Sequence, residues 1–116
     1  MKKNKFSKNW IIKQKRDIYV KKSKLEGYRS RAIYKLQEIN DKFKIIKNNI
    51  LVVDLGAAPG SWSQYISRNF NNPKIISIDL KDIEPIKNLV HIKGDFNEEH
   101  HKKNIQNFFG KKVDLI

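Results

Sequence analysis

The stretch V-V-D-L-G-A-A-P-G, residues 52–60, limits the possible folds of this 116-residue chain more than any other feature. An apolar, β-branched run ends at Asp54, small residues with Gly56 and Gly60 follow, and a polar helical pattern then begins. A strand, a tight glycine turn and a helix in this order are typical of a doubly wound α/β sheet, in which ligands bind at the carboxyl ends of the strands. A purely structural turn is the alternative.

The second half of the chain repeats this alternation. Short runs rich in β-branched residues occupy residues 49–55, 74–80, 89–96 and 112–116. Helical patterns separate the first two runs and the last two, and in the second of these patterns Asn97 is the predicted N-cap and Gly110 the predicted end. Strands that alternate with helices predict a parallel sheet flanked by helices, which is an α/β fold.

The first half has a basic, helical pattern instead. Ile11, Ile18 and Leu25 lie one heptad apart before Gly27, which predicts a first helix that ends there. Ser30 is the predicted N-cap of a second helix. The apolar face of this second helix has helical spacing and consists of Ala32, Ile33, Leu36, Ile39 and Phe43. We expect one domain over residues 1–116, with a basic helical extension in 1–49 and a half-sheet in 50–116.

The distribution of charge indicates a polyanionic partner. The net charge is +13, and 21 of the 25 basic residues are Lys, which alone is compatible with a general compositional bias. However, residues 1–49 hold 16 basic and 4 acidic residues (net +12), whereas residues 50–116 hold 9 and 8 (net +1). A general bias would have spread the excess, so we expect the basic segment to bind nucleic acid through phosphate charge rather than to be a solvated face.

Several side chains of the basic segment are candidates for that contact. The aromatic candidates are Trp10, Tyr19, Tyr28 and Tyr34. Arg31, Lys35 and Lys42 fall together on the flank of the second apolar helix face, since a helix advances about 100° per residue. We expect Arg29, Arg31 and Lys42 to contribute to the salt dependence of binding.

Carboxylates follow three successive predicted strands, at Asp54, Asp79 and Asp95. The carboxyl ends of parallel strands meet at one edge of a sheet, so these acids are expected at a common site. Asp79 lies 23 residues after Gly56, close to the spacing at which an acid meets ribose hydroxyls, and Asp95 is a candidate acceptor for an adenine amino group. Each acid also has a structural alternative as a cap of a turn or helix.

The glycine spacing selects the kind of ligand. A dinucleotide site has G-x-G-x-x-G, whereas Gly56 and Gly60 form G-x-x-x-G, and Pro59 removes one backbone donor. Pyrophosphate, and with it a nicotinamide-dependent reductase, is therefore disfavoured. S-adenosylmethionine has no phosphate; its carboxylate suits helix N-terminal amides, and its sulfonium cation suits a nearby acid such as Asp54.

Two segments resemble those of a known family. G-Y-R-S-R-A-I-Y-K-L-Q-E-I, residues 27–39, is similar to the block R-S-R-A-x-x-K-L-x-E-I of the FtsJ-like (RrmJ/RlmE) ribosomal RNA 2′-O-methyltransferases, and residues 52–65 are similar to the cofactor block V-D-L-G-A-A-P-G-G-W-S-Q-Y of that family. The resemblance runs from about Trp10 to the end of the chain. It implies a Rossmann-like class I methyltransferase fold, S-adenosylmethionine as cofactor, and 2′-O-methylation of a uridine in 23S ribosomal RNA, free or in the assembled large subunit.

The resemblance also assigns individual residues. Those that it gives to the cofactor are Gly60, Trp62, Asp79 and Asp95, to which the turn analysis adds Asp54 and Gly56. Lys35 corresponds to the first member of a Lys-Asp-Lys-Glu catalytic set, with an ion pair to Glu38 as the structural alternative. Ser61 stands where the family has a second glycine. The other three catalytic residues of the family would follow Ile116. We therefore expect residues 1–116 to form the N-terminal half of the domain and to be inactive alone.

Other features bound the remaining possibilities. The chain has no Cys, which excludes disulfides and thiolate metal sites and favours a cytoplasmic location. The apolar run at residues 10–12 is too short for a signal peptide or a membrane span, and no obligate protein partner is inferred. A non-catalytic RNA-binding or ribosome-assembly module is the alternative function.

A group of His and Glu residues raises the question of a metal. The residues concerned are His91, Glu98, Glu99, His100 and His101. We expect no metal site, because adjacent helical residues such as His100 and His101 are predicted to point apart and methyl transfer needs no metal.

Overall fold

The computed structural model describes residues 5–109 and 113–116, with side chains described for 8–107 and 113–116. The elements are α1 (Lys5–Glu26), α2 (Ile33–Phe43), β1 (Leu51–Leu55), α3 (Ser61–Asn69), β2 (Lys74–Asp79), β3 (Leu89–Lys93) and α4 (Glu99–Phe109). The predicted alternation of strands and helices in the second half is thus confirmed. None of the described helices is both long and apolar enough to cross a bilayer.

The strands form a parallel sheet in the order β1-β2-β3. The run at 112–116, predicted as a fourth strand, contributes a single parallel bridge from Leu115 to Val52, on the edge of β1 that β2 leaves free. Val53 N–H donates to the Leu115 carbonyl at 2.9 Å, and Leu51 N–H donates to the Asp114 carboxylate at 2.9 Å. Lys112 lies outside the described residues.

The sheet is covered on both faces, because side chains alternate along each strand. Val52 and Ile75 pack with Ile33 of α2 and Ile66 of α3. The opposite face packs against Ile105 of α4. The sheet residues of that second cluster are Leu51, Val53, Ile76 and Ile78. Each fully buried Ile contributes about 1.5–3 kcal/mol through burial, so the half-sheet has two apolar layers that position its strand ends.

Helix α1 confirms the predicted helix before Gly27. Ile11, Ile18 and Leu25 are 46%, 60% and 86% exposed, so their heptad spacing does not mark a contact within the described residues. The carboxyl-terminal half of α1 is held by Tyr34 of α2, whose hydroxyl donates to Glu26 at 3.0 Å.

The prediction that Tyr34 faces RNA is therefore wrong. Only 8% of the residue is exposed, and its ring centroid lies 5.4 Å from that of Tyr19. Burial, together with the hydrogen bond to Glu26, raises the pKa of Tyr34 to about 12. Tyr28 is also partly buried against the core, whereas Tyr19 and Trp10 are 44% and 62% exposed. Tyr34 belongs to the core. Of the four aromatic candidates, only Trp10 and Tyr19 are open to a partner.

Both predicted helix starts are displaced by one or two residues. The Ser30 hydroxyl accepts a 3.3 Å hydrogen bond from Ala32 N–H, which caps a turn that precedes α2 rather than α2 itself. Asn97 is not the cap of α4, since its N–H donates to the side chain of Asp95 at 2.9 Å and the helix begins at Glu99. The predicted end at Gly110 lies outside the described residues.

Candidate functional site

The turn after β1 uses glycine where the backbone requires it. Gly56 has φ +64° and Gly60 has φ +107°, and both values lie in the left-handed region that side chains disfavour. The first of these lets the chain leave β1, and the second turns it into α3. Both glycines named from the sequence are therefore needed for the shape of the turn.

The backbone donors of this turn are already used. Gly56 and Ala57 N–H both donate to the Ile78 carbonyl, at 2.9 and 3.4 Å, and Ala58 N–H donates to the Asp79 carboxylate at 3.0 Å. Pro59 has no N–H. A pyrophosphate cradle needs such amides free, so the geometry gives a physical reason for the absence of a dinucleotide pattern.

The first turn of α3 supplies the donors that the loop lacks. The first helical hydrogen bond runs from Gln64 N–H to the Gly60 carbonyl at 2.9 Å. The N–H groups of Ser61, Trp62 and Ser63 precede it and have no acceptor inside the helix. They lie at the positive end of the helix dipole, which is suited to a single carboxylate.

A cavity of about 260 Å³ lies at this helix start and at the carboxyl end of β1. Its lining consists of Ser30, Ala32, Asp54, Leu55, Gly56, Ala57, Ala58, Pro59, Ser61 and Trp62. A neighbouring apolar cavity of about 330 Å³ shares Asp54, Leu55 and Trp62 with it. Small-molecule sites usually measure roughly 300–1,000 Å³, so these two neighbouring cavities together offer a volume of the right size for one ligand.

Asp54 is the acid in the wall between the two cavities. It is half-buried, and burial raises the pKa of its carboxyl, with the nearby Asp79 adding to this effect. The hydroxyl of Ser63, which is fully buried, donates to Asp54 at 2.6 Å and opposes the rise. A partly desolvated carboxylate with one neutral donor attracts a cation, as expected for the sulfonium group.

Asp79 joins the loops that follow all three strands. Its two carboxylate oxygens accept hydrogen bonds from Lys81 N–H at 2.9 Å and Ala58 N–H at 3.0 Å, and these bonds lower its pKa. Its carbonyl accepts Gly94 N–H at 3.0 Å. Each carboxylate oxygen keeps a second lone pair, so the capping role leaves acceptors for ribose hydroxyls.

Asp95 is exposed and lies next to Gly94, at the start of the turn before α4. One carboxylate oxygen accepts Asn97 N–H at 2.9 Å, which is a local turn contact. The structure thus brings Asp54 and Asp79 into electrostatic contact, and connects Asp95 to them through the backbone bond of Gly94.

Trp62 ties the cavity to the helix that carries Lys35. The indole N–H donates to the Ala32 carbonyl at 2.7 Å, while the side chain stays 38% exposed at the cavity wall. Lys35 is exposed in the first turn of α2, and its own N–H donates to the same carbonyl at 3.3 Å. Among the described side chains, the ion pairs do not include one between Lys35 and Glu38.

The sequence did not reveal the contacts that fix α3 to the segment between α1 and α2. Gln64 accepts Arg29 N–H at 3.0 Å and donates to the Gly27 carbonyl at 3.0 Å, and Arg68 donates to that carbonyl at 2.9 Å. The Ser30 and Ser61 hydroxyls lie 2.9 Å apart. The signal was available, because polar residues at positions 61, 64 and 68 share one face of α3.

Ser61, which stands where the family block has a second glycine, is accommodated without an open space beside the turn. The residue is only 3% exposed, and its hydroxyl is occupied by Ser30. A second glycine is therefore replaced by a side chain that has its own partner. The basic residues Arg31, Lys35 and Lys42 are exposed as expected. Arg29 differs from these residues, because it is only partly exposed and its guanidinium group donates to three backbone carbonyls.

The His pair also differs from expectation. The rings of His100 and His101 do not point apart; their centroids lie 3.9 Å from each other. Glu98, just before α4, lies between them, with one carboxylate oxygen 3.4 Å from Nε2 of each ring. The reason given for excluding a metal was thus wrong, and the shared carboxylate explains why the two rings converge.

The family model described as FtsJ-like methyltransferase matches residues 28–116. The chain belongs to this family. It is 58% identical over its whole length to the ribosomal RNA large subunit methyltransferase E of Pelagibacter ubique, and covers 57% of that protein. It is 48% identical to the methyltransferase E of Rickettsia felis over 95% of this chain and 51% of that protein.

A solved structure supports the same family and fold. The crystal structure of a ribosomal RNA methyltransferase from Plasmodium falciparum aligns with a TM-score of 0.64 and 35% identity, over 74% of this chain and 52% of that chain. The α/β, Rossmann-like fold expected for an FtsJ-like protein is thereby confirmed. The chain spans about half the length of the curated relatives that it matches.

Proposed function

We propose that this FtsJ-like chain binds S-adenosylmethionine and RNA for 2′-O-methylation of a uridine in 23S ribosomal RNA, in the cytoplasm. The observation that carries the cofactor assignment is the distribution of donors around the turn. The amides of residues 56–58 are bonded to the end of β2, whereas those of Ser61, Trp62 and Ser63 are not used inside α3. This arrangement suits one carboxylate and does not suit a pyrophosphate.

The charges around the cavity support the same cofactor. The carboxylate of S-adenosylmethionine is complementary to the positive start of α3, and its sulfonium cation is complementary to Asp54. The free lone pairs of Asp79 are available to ribose hydroxyls, and Asp95 is available to the adenine amino group. When bound, the cofactor supplies an electrophilic methyl group.

The proposed role of Lys35 is to hold the ribose hydroxyl. Methyl transfer is an in-line displacement, so the hydroxyl oxygen must lie on the axis of the methyl group and lose its proton as it attacks. Lys35 lies one helical turn from Ala32, whose carbonyl is bonded to Trp62 at the cavity wall. The family resemblance gives the proton-accepting role mainly to a later Lys, so Lys35 orients the hydroxyl and contributes positive charge.

Helix α1 supports an RNA partner. Its 22 residues contain eight basic and two acidic side chains. Trp10 and Tyr19 are exposed among them. With a rise of about 1.5 Å per residue, Trp10 lies about 25 Å along the helix from Gly27. An RNA that contacts both Trp10 and the end of α1 near Gly27 must therefore span about 25 Å.

Isothermal titration with S-adenosylmethionine tests the cofactor assignment. S-adenosylhomocysteine is the matched ligand, since it lacks the methyl group and the positive charge, and NADH is the negative control. We expect S-adenosylmethionine to bind more tightly than S-adenosylhomocysteine. Asp54→Asn should reduce that preference by about tenfold or more, as expected for a contact between charged groups. An unchanged preference in Asp54→Asn would exclude Asp54 as the sulfonium partner.

The alternative function is RNA binding without methyl transfer. The observation that favours it is the exposed basic helix α1, which needs no cofactor to bind phosphates. Salt-dependent RNA binding without any heat from S-adenosylmethionine would favour this alternative. Cofactor heat together with RNA binding would favour the methyltransferase.

A further inference from the structure

Arg29 makes a set of contacts that neither the sequence pattern nor the proposed chemistry requires. Its Nη1 donates to the carbonyls of Pro59 at 3.0 Å and Glu84 at 2.8 Å, and its Nη2 donates to the carbonyl of Pro85 at 3.1 Å. All three acceptors are backbone oxygens. The side chain thus joins the turn after β1 to the segment between β2 and β3.

The turn after β1 is held to the chain that follows β2 by two separate contacts. Asp79 makes one of them, through its bond to Ala58 N–H, and Arg29 makes the other, through Pro59. A cavity of about 420 Å³ lies beside this contact, lined by Arg29, Pro59, Asp82, Ile83 and Glu84. The guanidinium group is therefore reachable from solvent although its donors are occupied.

Gly60 shows how closely Arg29 approaches the turn. A Cβ atom added at Gly60 would lie 3.1 Å from Nη1 of Arg29, closer than side chains normally pack. Gly60 is also the residue that leads into α3. The position of Arg29 is thus coupled to the position of the first amides of that helix.

We propose that Arg29 is a positioning residue, which holds the 59–60 turn against residues 84–85 and so fixes the amides of Ser61, Trp62 and Ser63 in the orientation that binds the cofactor carboxylate. Only a guanidinium group suits this role. It presents several N–H donors in one plane, whereas the Lys ammonium is a compact group on a flexible stem. The identity of the ligand in this inference rests on the proposed function. The claim that Arg29 holds the turn in place does not depend on a ligand.

The test compares Arg29→Ala and Arg29→Lys with Arg31→Ala, which removes an exposed Arg two residues away. Titration of the 116-residue protein with S-adenosylmethionine should give a dissociation constant at least tenfold higher for both Arg29 variants and an unchanged one for Arg31→Ala. Millimolar methylguanidinium should restore affinity to Arg29→Ala. A purely structural defect would not respond to this small cation.

Salt dependence of RNA binding is the second measurement. Arg29→Ala should keep the wild-type slope of log affinity against log salt, whereas Arg31→Ala should reduce it by about 0.7 to 0.9, the value for one phosphate contact. A reduced slope in Arg29→Ala with unchanged cofactor affinity would overturn the proposal and make Arg29 a phosphate ligand.

Hydrogen exchange separates this proposal from the proposed function. Without any ligand, Arg29→Lys should increase the exchange rate of amides 60–63 several-fold and leave the core amides of Ile75 and Ile76 unchanged. If the wild-type protein binds no S-adenosylmethionine, the proposed function fails, and this exchange result alone decides the role of Arg29. Unchanged exchange at 60–63 would refute the positioning role.

Discussion

Ser63→Ala isolates the contact that controls the charge of Asp54. The Ser63 hydroxyl is fully buried and donates to the Asp54 carboxylate at 2.6 Å. A hydrogen bond to an ionised group contributes about 1.5–3 kcal/mol, against about 0.5–1.5 kcal/mol for a neutral one. We therefore expect Ser63→Ala to lower the free energy of unfolding by about 1.5–3 kcal/mol at neutral pH.

The pH dependence follows from the direction of the pKa shift. Burial raises the pKa of Asp54, so its favourable contribution to folding is complete below the unfolded-state pKa and is lost as pH rises through the folded-state pKa. Ser63 opposes that loss by stabilising the ionised form. The deficit of Ser63→Ala should be largest above the folded-state pKa and should shrink at acid pH to that of a neutral hydrogen bond.

Urea unfolding of the 116-residue protein across this pH range measures the effect. Ser67→Ala is the matched control, because Ser67 is also on α3 and donates to a neutral acceptor, the Lys87 carbonyl, at 2.8 Å. Its deficit should be smaller and independent of pH. Equal, pH-independent deficits in the two variants would show that Ser63 does not support an ionised Asp54.

Three further predictions concern other parts of the molecule. Asp79→Asn should weaken S-adenosylmethionine binding at least tenfold by titration. Because the Asp79 pKa is lowered, the ionised carboxylate stabilises the fold above the ordinary Asp pKa, and this stabilisation is lost as pH falls through the folded-state pKa. In urea unfolding, the variant should not show this loss of stability at acid pH. Gly94→Ala should cost about 1–3 kcal/mol in urea unfolding through overpacking, because the new Cβ would lie against Nε2 of the buried His101 ring, and adding His101→Ala should reduce the cost. Trp10→Ala should weaken RNA binding by about 1–3 kcal/mol if a base stacks there, with an unchanged salt slope in filter binding.

The half-sheet could be predicted because its physical signal is local. The run at residues 74–79 places β-branched Ile at both even and odd positions, as expected of a strand buried on both faces, and Ile75, Ile76 and Ile78 are almost completely buried. The turn at Gly56 and Gly60 could be predicted for a similar reason, since its backbone conformation admits few other residues.

The partners of the charged side chains could not be predicted in the same way. A basic residue gives the same sequence signal whether it faces solvent, as Arg31 does, or donates to backbone carbonyls, as Arg29 does. The choice depends on which carbonyls tertiary packing brings near. Likewise, His100 and His101 converge because Glu98 precedes the helix and reaches both rings, which helical spacing alone does not describe.

Helix α3 connects the two proposed binding functions. Its first turn presents amides toward the cavity, while Gln64 and Arg68, further along, bind the backbone of the segment that joins α1 to α2. Trp62 adds a bond to Ala32, just before the helix that carries Lys35. Under the proposed function, the same nine-residue helix therefore sets the position of the cofactor, of the basic helix α1 and of Lys35 relative to one another. A substitution at Gln64 that leaves cofactor affinity intact should still weaken RNA binding. The reason is that Gln64 holds the Gly27 carbonyl and the Arg29 N–H, which directly follow α1.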